Sequence, residues 1–173
     1  MKPAVVGAVL LFLLAGLLQG PGAGPPAQPG QSAHHACLEE ERQAVERGQG
    51  FGMALVADRN GYPGPRHILE LKEELQLSAE QVRDVEQLFE RMHTRAVGLG
   101  KDLLRKETEL DQLLGDGGSH EAAIRRSLAD IAALRAELRW VHISAHLEAR
   151  GLLSPEQRHA YHAARYGSAG HAH

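Results

Sequence analysis

Two stretches of the chain decide its fold: residues 82–114 read VRDVEQLFERMHTRAVGLGKDLLRKETELDQLL, and residues 124–147 read IRRSLADIAALRAELRWVHISAHL. In both stretches apolar residues recur at intervals of three and four, which places them on one face of an α-helix. In the first stretch they are Val82, Val85, Phe89, Met92, Ala96, Leu99, Leu103, Leu110 and Leu113, and in the second they are Ile124, Leu128, Ile131, Leu134, Leu138, Val141 and Ala145. Each pattern predicts a helix of about 30 residues, or roughly 45 Å in length.

Residues 115–118 (GDGG) separate the two long helices, and so short a break makes them fold back on each other. The predicted fold is therefore all-α, a long antiparallel helical hairpin with shorter flanking helices. Two helices cannot bury all of their apolar surface against each other. The shorter helices or a second subunit must cover the rest, and we expect a dimer. The shorter helices are predicted at 38–47, 51–58, 65–75 and 154–166.

The N-terminus has the layout of a secretory signal peptide. Lys2 supplies a positive charge, and the apolar run from Ala4 to Leu18 is shorter than the roughly 20 residues of a membrane-spanning helix. We therefore expect export to the periplasm through a cleaved signal, with an uncleaved anchor as the alternative. The predicted divisions are a signal peptide at 1–23, a disordered leader at 24–37, a helical domain at 38–166 and a disordered tail at 167–173.

Composition excludes several classes of function. The chain has 19 basic and 22 acidic residues, and no segment is strongly basic, which argues against a nucleic-acid partner. There is no Gly-x-Ser-x-Gly motif and no phosphate-binding glycine loop. Ile143 stands where a zinc protease with a His-Glu-x-x-His helix has its glutamate. We expect a protein that is not an enzyme and uses no organic cofactor.

The pattern Leu-Ser-x-Glu-Gln occurs twice, at residues 77–81 and 153–157. In each copy the serine side chain can cap the amide at the third helical position, and the glutamine can reach back to the serine amide, forming a capping box. Pro155 suits the first position of a helix, where no amide hydrogen is needed. The residues with these predicted structural roles are Leu77, Ser78, Gln81, Leu153, Ser154 and Gln157.

Several pieces of the chain occur in a distinctive order. Residues 60–67 (NGYPGPRH) precede the first capping motif, and residues 141–147 (VHISAHL) lead into the second, which Tyr161 follows. Behind a signal peptide, this order resembles the Spy/CpxP family of periplasmic proteins, and most closely its heavy-metal resistance or periplasmic heavy-metal sensor branch. The resemblance covers about residues 35–166. It implies a four-helix, cradle-shaped homodimer. Some relatives bind unfolded proteins without ATP, and others bind zinc, nickel, cobalt or copper.

His142 and His146 are candidate metal ligands because residues four apart lie on one face of a helix, within reach of one ion. Imidazole suits zinc, nickel, cobalt and copper. Two ligands are too few for a closed site, and the alternative is a pair of half-buried histidines hydrogen-bonded near the helix seam. The resemblance supports the hypothesis that His142 and His146 bind a metal, since histidines on this hairpin and near the mature N-terminus supply the ligands in metal-sensing relatives.

Further ligands must come from elsewhere in the chain. His34, His35 and Cys37 combine imidazole with thiolate in the leader, a mixture that binds soft or borderline ions. Cys37 is the single cysteine, so a lipidated N-terminus, an intermolecular disulfide and an idle thiol are its other interpretations. The remaining candidates for a third ligand are His67, His93 and Glu148.

Two functions follow from these patterns. The first is a periplasmic metal-binding protein that buffers or senses a divalent transition metal. The alternative is an ATP-independent periplasmic chaperone or envelope-stress adaptor, with a second copy of the chain, an unfolded polypeptide or a membrane-bound sensor as partner. That alternative needs an exposed apolar surface, and the bulky apolar residues that could form it are more often part of the core. They are Phe51, Met53, Leu55, Met92 and Trp140.

Overall fold

The computed structural model describes residues 29–118 and 120–167, and for residues 29–35 it describes the backbone alone. The predicted signal peptide lies outside these residues. All of the regular structure described is helical, which confirms the predicted all-α class. Among the described helices, none combines the length and apolar composition that a membrane span requires. The helices are α1 (Pro29–Glu46), α2 (Leu55–Arg59), α3 (Pro65–Glu70), α4 (Ala79–Gly115), α5 (Glu121–Gly151) and α6 (Pro155–Tyr166).

The two long helices α4 and α5 pack along each other as the predicted hairpin, and the shorter helices lie against them. α1 and α3 contact α4, while α2 contacts α5. Apolar side chains form two clusters along this arrangement. One joins α1 to the hairpin through Val45, Ala96, Leu103, Ile131, Leu138 and Val141. The other joins α3 and α6 to the hairpin through Ile68, Leu75, Val85, Leu88, Ala145, Ala149, Leu153 and Tyr161.

Three details differ from the sequence-based expectation. α1 begins at Pro29, within the segment expected to be a leader, because proline suits a first helical position and the alanines that follow favour helix. α3 ends at Glu70 rather than near residue 75, and the turns that follow end at Gln76 with a left-handed φ of 49°. Leu128 is 50% exposed, since it is turned about 100° around α5 from the buried Ser127.

Both capping boxes are present at the predicted helix starts. The Ser78 Oγ accepts from the Gln81 amide at 3.1 Å, and the Gln81 Oε1 accepts from the Ser78 amide at 3.0 Å. At the start of α6 the corresponding distances between Ser154 and Gln157 are 3.2 and 2.9 Å. The repeated motif therefore fixes where α4 and α6 begin.

The two glutamines also bond to each other, which the sequence did not predict. The Gln81 Nε2 donates to the Gln157 Oε1 at 2.8 Å, and the Gln157 Nε2 donates back to the Gln81 Oε1 at 3.1 Å. Each amide also donates to a backbone carbonyl, that of Leu152 for Gln81 and that of Leu75 for Gln157. The repeated motif thus ties the start of α4 to the start of α6.

Candidate metal site

A cavity of about 490 Å³ opens beside the hairpin. The loop at 47–54, which joins α1 to α2, lines it together with residues of α3, α4 and α5. Four histidines from three helices border it: His67 from α3, His93 from α4, and His142 and His146 from α5. The fold thus brings His67 to the same cavity as His142 and His146, although the sequence indicated them separately as candidate ligands.

His142 is almost fully buried, with 5% of its surface exposed. Its ring packs against the loop at 47–54 so closely that a Cβ atom at Gly50 would lie 3.2 Å from the ring Nδ1. Its Nε2 is buried without a hydrogen-bond partner among the described residues. Because a buried unpaired polar atom costs about 1–3 kcal/mol, a ligand on this nitrogen would be stabilising.

His146 presents a nitrogen whose role is fixed by a hydrogen bond on the opposite side of the ring. The Nδ1–H donates to the carbonyl oxygen of Tyr62 at 2.8 Å. A carbonyl can only accept, so Nδ1 carries the hydrogen and Nε2 keeps its lone pair. The Arg150 guanidinium lies 4.9 Å from the centroid of the Tyr62 ring and helps to hold that residue. A backbone carbonyl in this position is typical of histidines that bind metals.

His67 faces the same part of the cavity as His146. Its Nδ1 is buried and has no hydrogen-bond partner within the described chain. A Cβ atom at Gly64 would lie 3.4 Å from this nitrogen and 3.0 Å from the His146 Nε2, so both border one point. The Asp58 Oδ2 is 4.0 Å from the His67 Nδ1, beyond hydrogen-bond distance. The His67 Nδ1 of α3 and the His146 Nε2 of α5 are therefore both available to a ligand near Gly64.

The surroundings keep two of these rings neutral. Burial lowers the pKa of His142 to about 4, and His146 and His93 add smaller contributions. Burial also lowers the pKa of His67, as does the nearby Arg165 guanidinium, whereas Asp58 acts in the opposite direction. A metal binds the neutral form of imidazole. Near neutral pH these rings can therefore bind without first losing a proton.

Asp58 is a buried carboxylate that ties α2 to α6 at the edge of the cavity. Its oxygens accept from the Tyr161 hydroxyl at 2.6 Å and the Tyr166 hydroxyl at 2.5 Å, and the Arg165 guanidinium lies 3.5 Å away. Burial alone would raise the pKa of Asp58, but the two tyrosine hydroxyls, with His67 and Arg165, outweigh burial and lower it. Asp58 stays charged, and its oxygens are already engaged.

Cys37 and Glu148, which were also candidate ligands, do not line the cavity. Cys37 is exposed on α1. His34 and His35 lie on the backbone of α1, and their side chains fall outside the described part of the chain. Glu148 is exposed and pairs with Arg91 at 2.6 Å.

The cavity histidines are not arranged as a preformed metal site. Among the side chains that the structure describes, in residues 36–118 and 120–167, no three His, Cys, Asp or Glu groups stand close enough to form one. The His67 side chain is 34% exposed and retains freedom to turn. Occupation by a metal therefore requires side-chain movement.

Gly50, Gly64 and Asp58 shape the site, and the sequence pattern does not single them out. Both glycines lie in turn-rich segments, where glycine is expected simply as a helix break. A Cβ atom would lie 3.2 Å from the His142 ring at Gly50 and 2.9 Å from the His146 ring at Gly64, so a side chain at either position would displace an imidazole of α5. Of these three residues, Gly64 alone lies in a segment that the sequence indicated as distinctive, residues 60–67.

We expect stability to fall as the pH is lowered from about 6.5 to about 4, because in this window the unfolded chain protonates His142 and the native state does not. The loss is on the order of 3 kcal/mol across the window. The stabilising contribution of Asp58 is lost only at lower pH. Because the pKa of Asp58 is lowered in the native state, this contribution is kept until the pH falls under about 4.

Urea unfolding at pH 7 and pH 4.5 measures this effect. The wild type and the exposed-histidine control His159→Gln should lose stability equally between the two pH values. His142→Gln, which lacks the titrating group, should lose less, and an equal loss in all three proteins would contradict the assignment.

Comparison with known proteins identifies a family. A family model described as heavy-metal resistance matches residues 50–160, a span that contains all four histidines of the cavity. No curated protein and no solved structure gives a significant match. The members of the matched family are non-enzymatic proteins. Because the match covers more than half of the chain, this protein belongs to the heavy-metal resistance family, within the Spy/CpxP-like fold group.

Proposed function

We propose that this protein binds a divalent transition metal ion through His67, His142 and His146, and that it buffers or senses the ion in the periplasm. One observation carries the proposal. Three histidines that line one cavity each have an imidazole nitrogen without a hydrogen-bond partner among the described residues: the buried His67 Nδ1 and His142 Nε2, and the His146 Nε2 on the side of the ring away from Tyr62. Membership of the heavy-metal resistance family supports the same function.

The donor set fits a borderline transition metal. Three neutral imidazoles suit zinc, nickel, cobalt or copper, and they suit calcium or magnesium poorly because those ions prefer oxygen ligands. Three protein ligands leave a further coordination position for water or another molecule. The bound ion would supply no catalysis here and would serve as the cargo or the signal.

Binding would also relieve an unfavourable feature of the metal-free protein. Among the described residues, the His67 Nδ1 and the His142 Nε2 are buried without a partner, each at a cost of about 1–3 kcal/mol, and metal ligation would satisfy them. A ligand that binds the native state alone raises stability in proportion to the logarithm of its concentration. We therefore expect thermal stability to rise on metal addition. A movement of His67 toward the α5 pair on binding would provide a two-state element that a sensor could use.

Calorimetric titration of the reduced protein with zinc, nickel, cobalt and copper tests the proposal. At least one ion should bind with micromolar or tighter affinity, and His142→Ala/His146→Ala should weaken that binding at least tenfold. The matched control is His120→Ala/His159→Ala, which removes two exposed histidines that do not line the cavity. Binding that the cavity variant leaves intact would sink the proposed site.

The proposal includes export and a looser N-terminal group of ligands. Export rests on the apolar run that follows Lys2. His34, His35 and the exposed Cys37 would form the second group, which suits softer ions. The same titration distinguishes the two groups, because Cys37→Ser should remove a second binding event and leave the cavity event unchanged.

The outward side of α5 favours a second candidate function, that of an ATP-independent chaperone or stress adaptor. Leu128, Trp140 and Leu147 are 50%, 51% and 43% exposed on this helix. A helix that is apolar on its outer as well as its inner side normally packs against another molecule. A client chain or a second copy of this protein, as in the homodimer that the resemblance implies, would cover it.

The residues nominated for a chaperone surface divide into two groups. Phe51, Leu55 and Trp140 are 50%, 42% and 51% exposed and remain available to a partner. Met53 and Met92 instead pack against the core cluster that joins α1 to the hairpin. Light scattering and aggregation-suppression assays on Trp140→Ser and the wild type distinguish a dimer contact from a client surface. If Trp140→Ser changes neither property, α5 contributes to neither role.

A further inference from the structure

The cavity is larger than a metal ion requires. Its volume is about 490 Å³, whereas a water molecule occupies about 30 Å³. Pockets that bind small organic molecules usually span roughly 300–1,000 Å³. Three histidine ligands would leave an open coordination position facing this space. The cavity therefore has room for a small molecule beside the proposed metal.

The charges around the cavity do not compensate a divalent cation. Arg47, Arg66 and Arg165 line it, and among the described lining residues Asp58 is the one acidic side chain. Asp58 already accepts two tyrosine hydroxyls, and the proposed histidine ligands are neutral. A dication would thus enter a partly buried site without a matching anion, which is unfavourable. An anion bound with the metal would restore the balance.

One of the three arginines has no carboxylate partner among the described residues. Arg66 is paired with Glu70 at 3.0 Å, outside the cavity lining. Arg165 lies 3.5 Å from the Asp58 Oδ2. Arg47 makes no ion pair within the described residues and lines the cavity. Guanidinium groups bind carboxylates well because their paired donors match the two carboxylate oxygens.

The remaining wall of the cavity is apolar. Phe51, Leu55 and Phe89 line it together with the arginines. Phe51 is half exposed and has a left-handed φ of 35° between two glycines. An apolar wall beside cationic groups suits an organic anion with a carbon chain better than an inorganic anion.

We propose that the metal ion is bound together with a small organic carboxylate, which takes the open coordination position, pairs with Arg47, and lays its carbon chain against the apolar wall. This inference rests on the proposed metal site. It adds a ligand class to that site, so that the cargo or signal is a metal–carboxylate pair. Binding of the two components is then reciprocal: each must tighten the other by the same factor.

Cobalt titration in the presence and absence of butyrate tests this inference, with the uncharged isostere butyramide as the ligand control. Butyrate should tighten cobalt binding at least fivefold, within the usual range of coupling between two ligands. It should also change the visible absorption of the bound cobalt, and butyramide should do neither. Arg47→Gln should abolish the butyrate effect, while the exposed α4 arginine variant Arg83→Gln should retain it.

The outcomes separate this inference from the metal site itself. Cobalt binding that butyrate does not tighten overturns the carboxylate inference and leaves the metal site standing. Butyrate that binds equally well without cobalt overturns it too, because the pair would not be coupled. If cobalt and the other three ions all fail to bind, the metal site falls and the inference falls with it.

Discussion

Replacing Asp58 with alanine is expected to destabilise the protein by about 3 kcal/mol, because hydrogen bonds to a charged group contribute roughly 1.5–3 kcal/mol each. Asp58 is 3% exposed and accepts the hydroxyls of Tyr161 and Tyr166. The alanine variant would leave the buried Tyr161 hydroxyl without its acceptor, whereas the partly buried Tyr166 and the exposed Arg165 would turn to water. Because these groups belong to α6, the effect is to detach α6 from the cavity edge.

Urea unfolding of the wild type and Asp58→Ala measures this loss. The matched control is Glu148→Ala, which breaks the exposed pair with Arg91 and should have little measurable effect. Asp58→Ala should also weaken proposed metal binding, because Tyr161 contacts the backbone amide of Gly64 beside His67 and His146. If the two alanine variants proved equally stable, Asp58 would not be the anchor that the structure indicates.

Replacing Gly100 with alanine is expected to cost about 2–3 kcal/mol, the upper part of the usual range of about 1–3 kcal/mol for overpacking a well-packed contact. A Cβ atom at this position would lie 2.3 Å from the carbonyl oxygen of Val45 and 3.1 Å from its carbonyl carbon. These are backbone atoms of α1, so no side-chain rotation relieves the clash. α1 would have to move away from α4, and the loop at 47–54 that lines the cavity would move with it.

Gly98 provides a control on the same helix, two residues away. A Cβ atom there meets nothing within 4 Å. Gly98→Ala should therefore raise stability by about 0.5–1 kcal/mol, because alanine favours helix over glycine. Thermal unfolding of both variants tests the opposite signs. A stabilising Gly100→Ala would show that α1 does not approach α4 at this point.

The sequence predicted the long helices well because a repeat of three and four over 30 residues is a strong local signal. The helix starts at Ser78 and Ser154 were equally predictable, since a capping box is local chemistry. The exposure of Leu128 was not, because spacing alone does not distinguish the centre of a buried face from its margin. The bond between Gln81 and Gln157 is a tertiary contact, which no local pattern encodes.

Part of the candidate site was also predictable from local spacing. His142 and His146 share a face of one helix, so their proximity follows from their spacing. His67 reaches them across 75 residues of chain through the placement of α3, and the sequence offered it as one of several third ligands. Gly50 and Gly64 matter because of what they touch, and that information exists only in the folded chain.

Proton–nitrogen NMR correlation of the histidine rings during zinc addition tests whether the cavity histidines bind the metal. We expect the resonances of the His67 Nδ1, the His142 Nε2 and the His146 Nε2 to shift together on binding, and His146 to keep its hydrogen on Nδ1 throughout. The resonances of the exposed His120 and His159 rings should not change. Zinc binding that leaves the resonances of the three cavity nitrogens unchanged would exclude them as its ligands.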